Sequence, residues 1–224
     1  MNGAEMDPRP HPAKYSAPIV ELLGDLLADR SRFPGLIVDP FAGTGRIHDL
    51  GRDDTLGVEI EPAWSGQHPR TITGNAVELD DLLDDVDVGT ICTSPTYGNR
   101  MADTYDGRDG SRRHTYRIAL GQNLADGSSA GLQWGPKYRD LHLDAWIAAV
   151  KVLRPDGALI LNISDHIRQG RRQYVAGWHV SVLTRLGLDV EEWLTVGTQR
   201  QRHGANGDLR VDGEAVIILR KVPA

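Results

Sequence analysis

Two short segments carry most of the chemistry that can be read from this chain. The first is Asp39-Pro40-Phe41-Ala42-Gly43-Thr44-Gly45, which follows the apolar run Leu36-Ile37-Val38. A strand that ends in a carboxylate and passes into a Gly-x-Gly turn lets a ligand approach the backbone, and a helix is predicted to begin near Arg46. The second is Thr93-Ser94-Pro95-Thr96-Tyr97, which follows a predicted buried strand over Val86–Cys92. It offers a hydroxyl, a carbonyl oxygen and an aromatic ring in sequence, the parts needed to hold a planar amine.

The turn does not fit a dinucleotide fingerprint, because His48 stands where the third glycine is required. It is not a P-loop either, since no Gly-Lys-Ser/Thr follows. Glu59 closes a second predicted strand, Thr55–Ile60. A carboxylate at that strand tip accepts hydrogen bonds from both hydroxyls of a ribose. Glu61 is the near alternative for the same task.

Taken in this order, the two segments resemble the motifs of S-adenosylmethionine-dependent amino-methyltransferases that act on nucleic acids. Thr93-Ser94-Pro95-Thr96-Tyr97 is similar to the segment found in enzymes that modify N4 of cytosine. The related adenine-N6 and guanine-N2 enzymes more often carry Asp or Asn where Ser94 stands. The resemblance implies an α/β, Rossmann-like class I methyltransferase fold with S-adenosylmethionine as cofactor. It implies DNA as the partner, with RNA left open. Asp39, Phe41, Gly43, Gly45 and Glu59 would then surround the cofactor. His11-Pro12-Ala13-Lys14-Tyr15-Ser16 resembles the family segment that packs against the methionine end, which adds Lys14 and Tyr15. Gly74-Asn75-Ala76 resembles the family segment that contacts the adenine amine, which adds Asn75 and Ala76; Asn75 reads equally well as a helix N-cap. The chain departs from the family at Thr96, where a second proline is expected. Threonine restores a backbone N–H and frees φ, so a less rigid pocket is expected. That departure also keeps open a catalytically silent nucleic-acid-binding protein on the same scaffold.

The chemistry explains the residue types. An exocyclic amine is a poor nucleophile because its lone pair is delocalised into the ring. Acceptors for its two protons draw the pair back onto nitrogen, and the Ser94 hydroxyl and Pro95 carbonyl can both accept. Tyr97 can stack on the base and fix its plane. Ser94, Pro95 and Tyr97 are therefore the candidate catalytic residues, acting by positioning and electrostatic fit. A base within a duplex would have to be flipped out to reach them. Cys92 lies inside the predicted strand and reads as a small buried hydrophobe, not a nucleophile.

Those residues need a scaffold. The chain has 224 residues, 40% apolar and 25% charged, which suits one globular domain. A single cysteine excludes an internal disulfide and fits a reducing, cytoplasmic setting. No basic-then-apolar leader and no run of about 18 apolar residues is present, so neither export nor membrane spanning is expected. No Cys/His cluster has zinc spacing. After an irregular, proline-rich arm over residues 1–18, Ile19, Leu22, Leu23, Leu26 and Leu27 fall on one face of a helix. Strands are then predicted at Leu36–Asp39, Thr55–Ile60, Thr71–Thr73, Val86–Cys92 and Ala158–Ile163. Helices are predicted at Arg46–Arg52, Ala76–Leu83, Tyr138–Leu153 and Gln173–Leu186. This alternation implies a largely parallel sheet, closed by an antiparallel hairpin of Leu188–Thr198 and Val211–Leu219. Leu153-Arg154-Pro155-Asp156-Gly157 resembles the turn that enters the fifth strand in many such methyltransferases. Asn162, Ser164 and Asp165 near that strand's end either line the base site or cap the next element.

The net charge of −6 argues against indiscriminate polyanion binding. Glu78, Asp80, Asp81, Asp84, Asp85 and Asp87 form a solvated acidic run. Basic residues gather in Arg100, Arg108, Arg112, Arg113 and Arg117, in Arg168, Arg171 and Arg172, and in Arg200, Arg202, His203 and Arg210. Three basic loops converging on one pocket would make a phosphate-binding rim. The candidate substrate contacts are Thr96, Arg100, Arg108, Arg112, Arg113, Asn162, Arg200 and Arg202. Residues 98–135 are too long for a simple connection and read as an insertion that contacts substrate.

Overall fold

The computed structural model describes residues 10–13, 15–103, 115–198, 209 and 211–223. Seven strands form one sheet: β1 (Leu36–Asp39), β2 (Thr55–Glu59), β3 (Thr71–Thr73), β4 (Val88–Thr93), β5 (Leu153–Ile163), β8 (Leu188–Gly197) and β9 (Gly213–Lys221). Their order across the sheet is β3-β2-β1-β4-β5-β9-β8. The first five run parallel, and β9 inserts antiparallel between β5 and β8. The remaining strands, β6 (His166–Arg168) and β7 (Arg171–Gln173), pair as a small separate hairpin that the sequence reading did not foresee.

The sequence buries both faces of this sheet. Along β5, Leu159, Leu161 and Ile163 enter one core, while Ala158 and Ile160 enter the other. Along β9, Ile217 and Leu219 alternate in the same way with Val216 and Ile218. A period of two with both sets apolar is the signature of a strand covered on both sides. Helices α5 (Pro136–Val152) and α6 (Val175–Arg185) pack on the first face through Trp146, Ala149 and Leu183. Helix α1 (Ala17–Ala28) covers the other face with Ile19, Leu23 and Leu27, each fully buried. Leu22 and Leu26, expected on the same stripe, are only partly buried and flank it.

Several element boundaries move. The helix expected over Arg46–Arg52 is a single 3-10 turn, Arg46–Asp49. Gly51, in the left-handed region at φ 80°, ends it. Arg52 is drawn inward, where its guanidinium donates to Leu27 O at 2.8 Å, Phe33 O at 3.0 Å and the Asp54 carboxylate at 2.6 Å. The glycine turn therefore opens onto no full helix. The helix expected over Ala76–Leu83 splits into a 3-10 turn, Ala76–Glu78, and α3 (Leu79–Leu82). Strand β4 starts at Val88 because Val86 is exposed. β5 starts early, at Leu153, and its residues 154–157 bulge opposite Gly89, with Asp156 at φ 59°. The expected turn is thus built into the strand.

Of the insertion, residues 98–103 and 115–135 are described. Its ends are tied together where the Trp134 N–H donates to Gly98 O at 2.8 Å. Gly98 sits at φ 62°, and a Cβ there would meet Trp134 N at 2.7 Å, so only glycine closes this base. Helix α4 (Tyr116–Leu120) packs Tyr116 and Leu120 against Trp64 of α2 (Pro62–Ser65) in a small third core.

Candidate active site

β1, β2, β4 and β5 end on the same edge of the sheet, and one cavity of about 290 Å³ opens there. Asp39–Thr44 line it from β1, Glu59 from β2, Ser94–Tyr97 from β4 and Asn162 from β5. The glycine turn and the serine–tyrosine segment thus share one cleft, as open parallel sheets place ligand sites beyond their carboxyl ends. Tyr15, Asn75 and Ala76 line it too. Gly45 does not; at φ 81° it shapes the turn, and a Cβ there would lie 2.9 Å from both His48 and His68.

Two acids on the lining, Glu59 and Asp39, are buried and hydrogen-bonded. Glu59 Oε2 accepts from Gly43 N–H at 2.9 Å and Oε1 from Glu61 N–H at 2.9 Å. Burial pushes its carboxyl up to about 7, outweighing both bonds. Asp39 Oδ1 accepts from the Thr93 hydroxyl at 2.6 Å and from Phe41 N–H at 3.0 Å. Burial raises it to about 6, those bonds opposing the shift. Glu61 is excluded from the cavity lining. It is 1% exposed and accepts from Ala125 N–H at 2.8 Å, pinning the insertion instead. Asn75 takes the N-cap reading, with Oδ1 accepting from Val77 N–H at 3.3 Å, and it also lines the cavity.

On the opposite wall four polar side chains converge. The Tyr97 hydroxyl donates to Glu214 Oε2 at 2.8 Å and lies 3.1 Å from Ser94 Oγ. With the phenol hydroxyl donating to Glu214, Ser94 donates to the Tyr97 oxygen and accepts from Asn162 on one lone pair, which leaves the other to accept from a ligand. Asn162 Nδ2 reaches Glu214 at 3.0 Å and both Ser94 and Tyr97 at 3.3 Å. Ser164 and Asp165, whose roles were open, are structural. Ser164 Oγ lies 3.0 Å from Gly213 O, and Asp165 Oδ1 caps α6 by accepting from Ala176 N–H at 3.0 Å.

Three buried polar atoms on this lining have no partner among the described residues: Tyr15 OH, Trp64 Nε1 and Asn162 Oδ1. Two donors and one acceptor left unsatisfied inside one cavity mark a place made for a polar ligand. Cys92 is fully buried, and its thiol is pushed well up by burial, first, and by Asp39. It does not line the cavity. No group of metal-ligating residues occurs among the described residues, and no described helix is long and apolar enough to cross a membrane.

Sequence reasoning missed Glu214, Trp64 and Tyr116, all of which line the cavity. Glu214 had a signal, being the lone acid opening the apolar run Ala215–Leu219. Trp64 and Tyr116 had none, since their roles arise from the packing of the insertion on α2. Lys14, Arg108, Arg112, Arg113, Arg200 and Arg202 lie outside the described residues, as does the side chain of Arg100. Arg168, Arg171 and Arg172 stand exposed on the β6–β7 hairpin, where Arg172 also donates to Asp165 at 2.8 Å.

No protein-family model and no curated protein sequence matches the chain. Solved structures do. TrmN from Thermus thermophilus superposes with a TM-score of 0.50 at 15% identity, over 91% of this chain and 48% of its own. An rRNA methylase from Streptococcus thermophilus gives 0.52 at 13% identity, over 94% and 100%. This is the fold of class I S-adenosylmethionine-dependent methyltransferases. The [4+2]-cyclase SpnF matches as well, with 0.54 at 15% identity over 98% and 86%. The chain spans about half the length of the TrmN chain. One fold therefore carries more than one reaction, and function has to be argued from the site.

Proposed function

We propose that this protein transfers a methyl group from S-adenosylmethionine to an exocyclic amine of a nucleobase, with N4 of cytosine in DNA as the target. The carrying observation is the shared cleft: the Gly43 turn with Glu59 on one wall, and Ser94, Tyr97, Asn162 and Glu214 on the other. S-adenosylmethionine, when bound, supplies a methyl group on an electrophilic sulfonium.

The residues present fit that cofactor. Glu59 has acceptor capacity for two ribose hydroxyls. Gly43, at φ 54°, keeps the backbone bare, and Asn75 with Ala76 stands beyond the third strand for the adenine. Tyr15 OH and Asp39 offer a donor and an acceptor for the amino-acid end. The unpartnered Tyr15 hydroxyl and Trp64 N–H are the direct signs that a polar ligand completes the cavity. Lys14 belongs to the same proposed set.

Toward the base, Ser94 Oγ and the Pro95 carbonyl accept hydrogen bonds from the two amine N–H groups, one of which gives its proton to solvent once nitrogen is methylated, and the Tyr97 ring holds the base plane. Glu214 and Asn162 keep the Ser94 and Tyr97 hydroxyls in one orientation. That order serves catalysis through positioning: acceptors fixed in advance need no reorganisation as charge develops on nitrogen. Thr96 and the arginines at 100, 108, 112, 113, 200 and 202 are proposed substrate contacts, steering phosphates to the rim.

The likeness to an rRNA methylase over its whole length favours RNA as the second reading, guanine N2 included. Mass spectrometry of nucleosides after incubation with DNA and with RNA separates the two. N4-methylcytosine in DNA alone is the expected result. Methyl found only in RNA overturns the DNA target, and cofactor binding without turnover on either overturns the enzyme.

A further inference from the structure

Helix α5 presents Tyr138, His142 and Trp146 four residues apart, all fully buried on one face. None of the three takes part in the chemistry above. Their hydrogen bonds admit one consistent proton arrangement. The Trp146 indole can only donate, and it does so to His179 Nδ1 at 2.9 Å. His179 must therefore carry its proton on Nε2, which faces the Tyr138 hydroxyl at 2.9 Å. Tyr138 accepts there and gives its own proton to the backbone carbonyl of Thr96 at 2.5 Å. The chain runs one way, from an indole to the segment that holds Ser94 and Tyr97.

The same helix reaches the other wall of the cleft. His142 stacks on Tyr138 with ring centroids 4.0 Å apart and on Phe41, in the glycine turn, at 5.4 Å. Its Nδ1–H donates to Tyr138 O at 2.7 Å, which fixes the ring. Thr96 stands where the resemblance calls for a second proline, so the backbone there lacks a proline's built-in stiffness.

We propose that Tyr138, His142, Trp146 and His179 form an internal strut that holds the Thr96 backbone and the Phe41 turn in register, replacing the stiffness of the missing proline. Tyr138 and His142 are positioning residues, and their catalytic importance rests on the methyl-transfer reading. The strut itself does not, and the tests keep the two apart.

Nitrogen-15 spectra of the histidines in the unmodified protein should find His179 as the Nε2–H tautomer and His142 as the Nδ1–H tautomer near neutral pH. His179 found as Nδ1–H, or protonated, overturns the proposal without any variant. Tyr138→Phe keeps the ring and removes only the bond to Thr96. Hydrogen exchange followed by mass spectrometry should then speed up roughly tenfold in the peptide spanning 94–98. His142→Ala should speed exchange in the peptide spanning 39–45. His142→Phe, which keeps a ring to stack on Phe41, should restore it. Unchanged exchange in both peptides overturns the strut. If methyl transfer is observed, Tyr138→Phe should lower kcat by roughly tenfold with KM within about twofold. An unchanged kcat, with exchange altered, removes the strut from catalysis. Absence of methyl transfer in the unmodified protein is a failure of the functional reading alone.

Discussion

The Tyr97 hydroxyl and the Glu214 carboxylate meet at 2.8 Å across 117 residues of chain, joining the end of β4 to the start of β9. This bond sets the direction of the hydroxyl network and so leaves Ser94 one lone pair that Asn162 does not use.

Tyr97→Phe keeps the ring and breaks that bond. Turnover should fall by roughly ten- to a hundredfold, with affinity for S-adenosylhomocysteine within about threefold of the unmodified protein. Tyr97→Ala should lose turnover altogether and still bind. Calorimetry beside a methyl-transfer assay checks both. Equal loss of binding and turnover would make Tyr97 a packing residue.

Glu59 titrates near 7 in the folded protein, against 4.5 as its ordinary value. Between these pH values the folded state holds a proton that the unfolded chain has released. Stability therefore falls as pH rises through this window, by on the order of 3 kcal/mol once above it. Glu59→Gln removes the titration, but its amide nitrogen then faces one of the two backbone N–H groups that Glu59 satisfies. The melting temperature of the variant should therefore be flat between about pH 4.5 and 8, where that of the unmodified protein falls. Cofactor affinity should move the other way, because ribose hydroxyls donate to the ionised form. S-adenosylhomocysteine should bind more weakly below pH 7 and roughly tenfold more weakly to Glu59→Gln near pH 8. Affinity that is flat between about pH 6 and 8 would take Glu59 out of the ribose contact.

Gly45→Ala tests the turn. The left-handed backbone costs any other residue about 1–2 kcal/mol, and the added Cβ meets His48 and His68 at 2.9 Å. Denaturant unfolding should register a loss of at least this size. Retained stability would mean that the turn is softer than the contacts imply.

The exposed arginines of the β6–β7 hairpin can be tested by salt. Arg168→Ala with Arg171→Ala spares Arg172, which holds Asp165. If both contact phosphates, the slope of log affinity against log salt should shrink by roughly two. An unchanged slope removes the hairpin from the nucleic-acid face.

The sheet was legible because its signals are local. Alternation along β5 and β9, the carboxylate-to-glycine junctions at Asp39 and the proline-tyrosine exit from β4 each announce themselves within a few residues. The cleft followed from them, since parallel strands share one carboxyl edge. What could not be read was set by partners distant in sequence. Arg52 took carbonyls from α1 and the loop after it, and so cut short the helix expected at Arg46. Glu61 was drawn off by Ala125, leaving Glu59 as the one of that pair in the cavity. Trp64 and Tyr116 entered the lining only because the insertion folded back on α2. Thr96 looked like a weakness in isolation, and the bond from Tyr138 is invisible without the helix that carries it.

Strand β9 is made after every strand it borders, yet it lies inside the sheet, between β5 and β8. The pocket wall thus gains its acid only at the last threading of the sheet. Any nascent or cleaved form ending before residue 214 would lack both the acid that orders the tyrosine and the strand whose residues Val216–Leu219 fill the two cores, so the hydroxyl network and the sheet are completed by the same piece of chain.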